Sequence, residues 1–245
     1  MKKQQQSFHH LQVILLRLHF KKNMKTKFII KMLIDIGMTG ILLFLMAYAL
    51  VGEAVHEWLG MSMFVLFVLH HILNAGRIEN IGKGKYTAFR TVQTVQIVLI
   101  LCTMLGSMIS GIVLSIHVFA FLPHHGGQAI ARIVHMLCAY WGFVFMSLHL
   151  GMHWNMITAM AKKSKFFQKE AVAWTFRGLA FLIAGYGIYA FFKRQIGEYL
   201  FLRRRFAFFD FTESMWLFML DYLAVMGLFV FVGYYVAKAL RERSK

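Results

Sequence analysis

The chain contains very little proline and cysteine for its length. One proline occurs in 245 residues, so almost nothing in the sequence interrupts a long helix. The two cysteines, Cys102 and Cys138, both lie inside apolar runs, and neither belongs to a CxxC or CxxCH motif. The lack of CxxCH argues against covalently attached c-type haem. Buried apolar packing is the simplest role for both thiols.

Acidic residues are also scarce. Ten Asp and Glu stand against 27 Lys and Arg, which gives a formal net charge of +17. A nucleic-acid-binding protein would gather such charge into a patch with exposed aromatic residues between the basic ones. Here the basic residues occupy short segments between apolar runs, as they do on the cytoplasmic side of membrane proteins. We therefore expect no nucleic-acid partner, and we interpret the charge as a topology signal.

Apolar residues, by contrast, are in excess. They make up 59% of the chain, and the mean hydropathy is +0.61. The alternation typical of strands is absent, and a segment in lipid must be a helix or part of a closed barrel. The sequence therefore predicts an all-α, polytopic integral membrane protein whose residues 28–245 form one domain in contact with lipid. Six runs are long enough to cross the membrane as helices: 28–50, 55–75, 91–121, 130–156, 172–193 and 214–238.

The distribution of Lys and Arg predicts the orientation of these spans. Four basic segments fall on one side when the spans alternate: 21–27, 77–90, 162–169 and 238–245. The positive-inside rule makes that side cytoplasmic, which predicts a bacterial cytoplasmic-membrane protein with both termini inside. One segment disagrees with this topology, because "FKRQIGEYLFLRRRFAFFDFTES" should be outside and yet has five basic residues.

Residues 1–27 form a basic N-terminal segment. Its apolar stretch is too short for a signal peptide, and no small-residue cleavage site follows it. Met24 begins "MKTKFIIKMLIDIG", which is typical of the start of a membrane protein. We expect residues 1–23 to be either an extension from a mis-assigned translation start or an amphipathic segment in the plane of the membrane.

Histidines recur at one spacing in two of the spans. The interval from His56 to His70 equals the interval from His135 to His149, and we call it the matched spacing. Over such an interval a helix returns to within about 40° of its starting direction and rises about 21 Å. The second and fourth spans run parallel, so His56 should lie level with His135 (the outer level) and His70 level with His149 (the inner level).

Each level offers two facing imidazoles. Haem iron accepts a pair of axial nitrogen ligands, and cofactors are commonly held between facing helices of a bundle. The spacing therefore predicts a four-helix di-haem bundle, in which the first four spans hold two b-type haems. Their axial ligands would be His56, His70, His135 and His149. Zinc or copper would need ligands that converge within one level, which this spacing does not supply.

Two further histidines leave the inner level open. His71 is about 60° from His56 on the helical wheel, only slightly worse than His70. His153 follows His135 by about five complete helical turns, which brings it back to the same direction. We assign His70 and His149 because their spacings match, and we keep His71 and His153 as alternates.

Glycine and arginine positions suggest how a porphyrin would be accommodated. Gly60 and Gly142 lie on the histidine faces of their spans, where a missing side chain would let a flat macrocycle approach the backbone. Gly37, Gly40, Gly106 and Gly111 have the same potential role, with close helix packing as the alternative. Propionates need cations: Arg132 is the outer candidate, and Arg77 and Arg90 are inner candidates. Snorkelling at the membrane boundary is the alternative role for each arginine.

The histidine pattern resembles that of known cytochromes. The paired spacing is similar to the haem-ligand pattern of the respiratory cytochrome b subunit of quinol–cytochrome c oxidoreductases. The stretches "HEWLGMSMFVLFVLHHILN" and "HMLCAYWGFVFMSLHLGMHW" more closely resemble the bacterial flavinylation-associated cytochrome family. "FAFFDFTESMWLFMLDYLAVMGLFVFVGYY" resembles its members too. This resemblance implies electron transfer across the cytoplasmic membrane to an extracytoplasmic flavoprotein or haem protein. It also implies that His56, His70, His135 and His149 are the ligands.

We therefore expect an electron-transfer component more than a self-contained enzyme. Electrons would enter at the inner level, from quinol or a cytoplasmic donor, and leave at the outer level. One alternative is a quinone-reactive cytochrome b anchor subunit of a membrane dehydrogenase or hydrogenase, with Gln93, Gln96 or Asp35 bonding the quinone. Another is a His-rich metal or proton transporter, which would predict polar residues spread along a pathway and broken helices.

Overall fold

The protein is helical throughout the part that the structure describes. The computed structural model describes residues 26–122, 126–205 and 212–243, apart from the side chains of residues 77 and 78. Of these residues 82% are helical and none is in a strand, which confirms the predicted all-α class. The predicted basic segment 1–27 lies outside the described residues except for its last two positions.

Six helices within the described ranges are long and apolar enough to cross a membrane. The protein is thus a multi-pass membrane protein, as the hydropathy predicted. The six spans are α1, α3, α5, α6, α7 and α9. In chain order the helices are α1 (Thr26–Met46), α2 (Tyr48–Val51), α3 (Glu53–Leu73), α4 (Ala75–Ile78), α5 (Ala88–Leu114), α6 (Gln128–Ala161), a 3₁₀ turn (Lys165–Gln168), α7 (Glu170–Lys193), α8 (Ile196–Leu200) and α9 (Met215–Glu242).

The third span ends seven residues earlier than its apolar run predicted. α5 ends at Leu114, and the next residue, Ser115, is already extended at φ −66° and ψ 131°. The backbone N–H groups of Ile116, His117 and Val118 then donate to the carboxylate of Glu57. The turn after α5 is therefore set by an acid on α3, far earlier in the chain, which a hydropathy window cannot detect.

The longest helix, α6, is the centre of the packing. Its 34 residues extend for about 51 Å, well beyond the ~30 Å of a hydrocarbon core. It packs against α5 on one side and α9 on the other, and α7 packs outside α9. Gly151 of α6 and Gly233 of α9 each lie against the partner's backbone, where a Cβ atom would collide with a carbonyl. Small residues thus allow these two helices to approach closely.

An ion-paired cluster occupies the ends of α7 and α9 that face the predicted outside. Asp221 is 1% exposed, and it accepts hydrogen bonds from Lys193, Arg194 and Tyr186 at 2.6–2.9 Å. Arg194 also binds both carboxylate oxygens of Glu213. Burial alone would lower the pKa of Arg194, but these hydrogen bonds raise it above its ordinary value. Lys193 and Arg194, two of the five basic residues that disagreed with the predicted topology, are therefore paired with nearby carboxylates.

Candidate functional site

The outer pair of predicted ligands faces each other. His56 lies in the first turn of α3, and His135 lies two turns into α6. Their ring centroids are 6.1 Å apart, with an angle of 71° between the ring planes. One metal ion bonded to a nitrogen of each ring at about 2.0–2.1 Å would hold the centroids roughly 6 Å apart. The side chains are thus already spaced as a pair of axial ligands would be.

Hydrogen bonds fix the tautomer of His135. Its Nδ1 lies 3.0 Å from the carbonyl oxygen of Ser107 and 3.2 Å from Oγ of Ser110, both on α5. A carbonyl can only accept, so Nδ1–H is the donor and Nε2 keeps its lone pair for a ligand. Histidines that bind metals are oriented by this kind of second hydrogen bond.

The ring of His56 is held mainly by packing. Tyr48 of α2 contacts it edge-on, with ring centroids 5.0 Å apart. Among the described residues, no acceptor meets hydrogen-bond geometry at its buried Nδ1. An unsatisfied buried nitrogen is costly in an apolar site. The His56 ring is therefore the less constrained of the two.

The outer pair lines a cavity of about 760 Å³. Its walls come mainly from α1, α3, α5 and α6, the four spans predicted to surround the cofactors. Gly60 lines it, and a Cβ atom at this position would meet nothing within 4 Å. Gly142 lines it as well, but there a Cβ atom would lie 3.5 Å from Thr103. Of these two predicted glycines, Gly60 is the one that faces open space.

The other glycines divide between the two predicted roles. A Cβ atom at Gly111 would lie 3.4 Å from Cε1 of His135, so this glycine makes room for the imidazole. Gly106 instead lies against Sγ of Cys138, at 2.5 Å from an added Cβ atom, and serves helix packing. Gly37 lies against Leu66, and Gly40 has no neighbour within 4 Å among the described residues.

Charged side chains gather at the outer end of the cavity. Arg132, Glu53 and Glu57 line it together with Tyr48. Burial, with the nearby Glu53 carboxylate, raises the pKa of Tyr48, and Arg132 acts in the opposite sense. Glu57 accepts four hydrogen bonds from residues 115–118, at 2.5–3.0 Å, and so ties the loop after α5 to the helix that carries His56.

The inner histidine of α3 has a carboxylate partner. Nδ1 of His70 lies 2.7 Å from Oδ1 of Asp35 on α1. The neighbouring His71 donates from Nδ1 to the carbonyl oxygen of Phe67, one turn earlier, at 2.8 Å. Both rings therefore have Nδ1 engaged and Nε2 available. The two centroids are 5.6 Å apart, so hydrogen bonding does not distinguish the predicted ligand from its alternate.

The inner histidine of α6 lies beside its own alternate. The rings of His149 and His153 have centroids 4.6 Å apart. Nε2 of His153 lies 3.2 Å from Nε2 of Gln93 on α5. The structure therefore brings the outer pair into ring contact, and it surrounds the inner histidines with polar and aromatic neighbours.

The structure does not place either inner arginine candidate as a cation that would bind the propionates of a cofactor. The side chain of Arg77 lies outside the described residues. Arg90 donates to the carbonyl oxygens of Asn80, Ile81, Lys83 and Lys85, and its guanidinium stacks over Tyr86 at 4.6 Å. Arg90 thus holds the loop between α4 and α5 together.

Some residues of the site were not found from the sequence. Ser107 and Ser110 orient His135, Tyr48 packs on His56, and Arg205 lines the cavity from the segment before α9. Ser107 and Ser110 lie within the turn of α5 that precedes Gly111. They could have been identified as site residues from the sequence, because polar residues in a membrane helix need partners. The basic residues 203–205, on the predicted outer side, were a second sequence signal, and they include Arg205.

Comparison with known proteins adds no relative. No family model, curated protein or solved structure matches the chain. Within the described ranges, no group of three or more His, Cys, Asp or Glu side chains could hold a metal ion. A porphyrin already supplies four nitrogens to its iron and needs only two protein ligands, and the outer pair with its adjoining cavity fits that requirement.

Proposed function

We propose that this protein is a membrane cytochrome b that transfers electrons across the cytoplasmic membrane through two b-type haems. One observation carries the proposal. His56 and His135 face each other at 6.1 Å on two different spans, beside a cavity of about 760 Å³. A lone histidine in a membrane helix is commonly a packing residue. Here two imidazoles face each other, the tautomer of His135 leaves its Nε2 free to bind a metal, and a cavity adjoins both rings. These features favour axial ligation.

The chain's own residues prepare this site in three ways. The Ser107 carbonyl fixes His135 with Nε2 available, and Tyr48 packs against His56. Gly60 leaves the wall of the cavity open, while buried Met63 and Met104 make it apolar. A b-type haem bound there would supply reversible one-electron chemistry. The protein supplies ligation, low dielectric and a fixed position.

A second haem at the inner level rests on the matched spacing. We assign His70 and His149 as its ligands, with His71 and His153 as alternates. Asp35 supports His70, because a carboxylate at Nδ1 orients a ligating histidine and increases its basicity. Quinol or a cytoplasmic donor would reduce this haem. An extracytoplasmic flavoprotein or haem protein would receive the electron at the outer level, as in the flavinylation-associated cytochromes that the sequence resembles.

A second candidate function has specific support at the inner level. The Asp35–His70 and Gln93–His153 pairs place hydrogen-bonding groups of four side chains on α1, α3, α5 and α6. The side chains of His70 and Asp35 are 28% and 46% exposed, so they are accessible from outside the helices. These groups would suit a quinone, and they favour a quinone-reactive anchor subunit of a membrane dehydrogenase or hydrogenase as the alternative.

Spectroscopy tests the haem proposal directly. Detergent-purified protein from haem-replete cells should show reduced-minus-oxidised b-type bands and two haems per chain by pyridine haemochrome. A folded preparation without haem would refute the proposal. Adding a quinol to the oxidised protein tests the electron donor, because rapid haem reduction is expected if quinol reduces the inner haem and not if a cytoplasmic donor does.

A reporter fusion tests the orientation on which the direction of transfer depends. The basic segments predict that both termini are cytoplasmic. A reporter that works only in the periplasm should therefore be inactive when fused after Lys245, and active when inserted in the loop after α5. The reverse pattern would invert the proposed direction of electron transfer.

A further inference from the structure

Residues 194–205, the part of the connection between α7 and α9 that directly follows α7, pack against the helix that carries His135. We call residues 194–205 the α8 arm. At its start, Arg194 binds Glu213 through two nitrogens and the buried Asp221 through a third. Two residues further on, Ile196 is fully buried. The arm is therefore fixed at its root by charge-assisted hydrogen bonds, the strongest kind.

The arm also docks directly on α6. The ring of Tyr199 stacks on Tyr140 with centroids 4.6 Å apart and an angle of 12°. Nε1 of Trp141 donates to the carbonyl oxygen of Leu200 at 2.9 Å. Tyr140 itself lines the cavity. The arm thus lies against the wall of the cavity, one to two turns along α6 from His135.

Two residues of the arm have strained backbone conformations. Gln195 and Leu202 have φ values of 52° and 54°, in the left-handed region that favours glycine. Such conformations cost free energy and persist where the surroundings over-determine them. Here the ion pairs and the docking contacts hold the arm in a path that a relaxed chain would not take.

Arg205, the last residue of the α8 arm, lines the cavity. Arg132, at the start of α6, lines the same cavity. Among the described residues, no carboxylate lies within ion-pair distance of the guanidinium of Arg205 or of Arg132. The neighbouring Arg203, by contrast, lies 3.7 Å from Glu198. Glu53 also lines the cavity, whereas the Glu57 carboxylate is occupied by the loop. Two arginines from separate elements thus line a space in which, among the described residues, Glu53 is the one lining carboxylate that the loop does not engage.

We propose that Arg205 joins Arg132, the outer cation predicted from the sequence, in binding the carboxylate groups of the molecule that occupies the cavity. This inference rests on the proposed function, because a b-type haem has two propionates on one edge of an otherwise apolar ring. Guanidinium groups bind carboxylates in a planar, bidentate geometry. The α8 arm holds Arg205 at this position. The contact also accounts for a basic residue on the side of the membrane where such residues are disfavoured.

The test compares haem b with its dimethyl ester, in which both propionates are blocked. Full-length protein from haem-deficient cells is titrated with each compound. The phase that is missing in His135→Ala reports on the outer level. Wild type should bind haem b about ten- to a hundredfold more tightly than the ester, the factor expected for one or two charge-assisted hydrogen bonds.

Variants separate the arginines from their surroundings. Arg205→Gln and Arg132→Gln should each lose about tenfold in affinity for haem b and almost nothing for the ester. Unchanged ester binding shows that the variant is folded. Arg203→Gln is the matched control, since it is in the same run but pairs with Glu198, and it should behave as wild type.

The outcomes distinguish this inference from the proposed function. A folded wild type that binds neither compound overturns both. If wild type binds the two compounds equally, or if the Arg205→Gln and Arg132→Gln variants keep full discrimination, the arginine assignment alone is overturned. Loss of discrimination in Arg205→Gln that is restored in Arg205→Lys supports a charge contact with the carboxylates.

Discussion

At the outer level two imidazoles face each other beside a cavity. At the inner level each matched imidazole has a different near neighbour. His56 and His135 are in ring contact at 6.1 Å, whereas His70 lies 2.7 Å from a carboxylate oxygen and His149 lies beside His153. The same spacing on the same two helices thus leads to two local environments. Spacing determines where the rings are along the helix, and the neighbouring helices determine what each ring contacts.

This difference has a physical origin in the flanking spans. At the outer level α5 contributes small groups: Gly111 makes room for the ring of His135, and the Ser107 carbonyl and the Ser110 hydroxyl accept the hydrogen bond from its Nδ1–H. At the inner level α1 and α5 contribute larger polar side chains, Asp35 and Gln93, which reach the histidines themselves. The outer histidines therefore have small neighbours and an adjoining cavity, whereas His70 and His153 are hydrogen-bonded to larger side chains.

The largest expected effect is loss of the outer haem. His56→Ala or His135→Ala should each reduce the stoichiometry from two haems to one, because each removes one axial ligand at that level. Pyridine haemochrome per mole of protein measures this. His117→Ala, on the exposed loop after α5, is the control and should keep both haems. Two haems in the His135→Ala protein would show that the facing pair is not a ligand pair.

The next effect distinguishes the candidate ligands at the inner level. His70→Ala and His149→Ala should remove the second haem, and His71→Ala and His153→Ala should have milder effects, measured by stoichiometry and by low-spin spectra. Asp35→Asn should keep the haem but weaken its binding about 10- to 100-fold, the usual cost of losing an orienting carboxylate. If His153→Ala strips the inner haem while His149→Ala spares it, the assignment on α6 is wrong.

A smaller effect concerns the loop at the outer level. Glu57→Gln should lower the free energy of unfolding by about 1–3 kcal/mol, since a charged acceptor of several hydrogen bonds is lost. Thermal unfolding of the detergent-purified protein measures it. Glu53→Gln, at an exposed position one turn earlier on the same helix, should change stability by less than about 0.5 kcal/mol. Equal behaviour of the two variants would mean that the loop is not held by Glu57.

The smallest effect tests whether the cavity is a binding space. Gly60→Ala adds a methyl group where nothing lies within 4 Å, so the unliganded protein should tolerate it. The affinity for haem at the outer level should still fall several-fold, because the added group occupies the space needed by the macrocycle. Gly40→Ala also adds a methyl group in open space, but away from the cavity, and should leave haem affinity unchanged. A fall in both variants would point to a general effect on helix packing.

Much of this architecture could be predicted from the sequence, for identifiable reasons. Helical spans in lipid follow from local hydropathy, and all six occur where the apolar runs indicated. The common level of His56 and His135 followed from the alternation of the spans, which makes the second and fourth spans parallel. Both predictions need only local segments and their order along the chain, whereas the approach of the two rings to 6.1 Å is a tertiary contact.

The rest depended on contacts between distant parts of the chain. The end of α5 is set by Glu57, and the position of Arg205 is set by ion pairs and strained residues in the α8 arm. The Asp35 contact joins two side chains on different helices. Sequence periodicity has no access to such pairings. The choice between His70 and His71, or between His149 and His153, stays a prediction for the same reason.

The continuous helix α6 has an electrical consequence. His135 and His149 are about 21 Å apart along its axis, which is roughly two-thirds of the ~30 Å hydrocarbon core. An electron that moves from the inner to the outer level would cross about that share of the membrane's electric field. With the cytoplasm negative, each 100 mV would favour this step by about 1.5 kcal/mol, two-thirds of the value for a full crossing. Electron export through this chain would therefore discharge the membrane potential, and it should slow when an uncoupler collapses that potential.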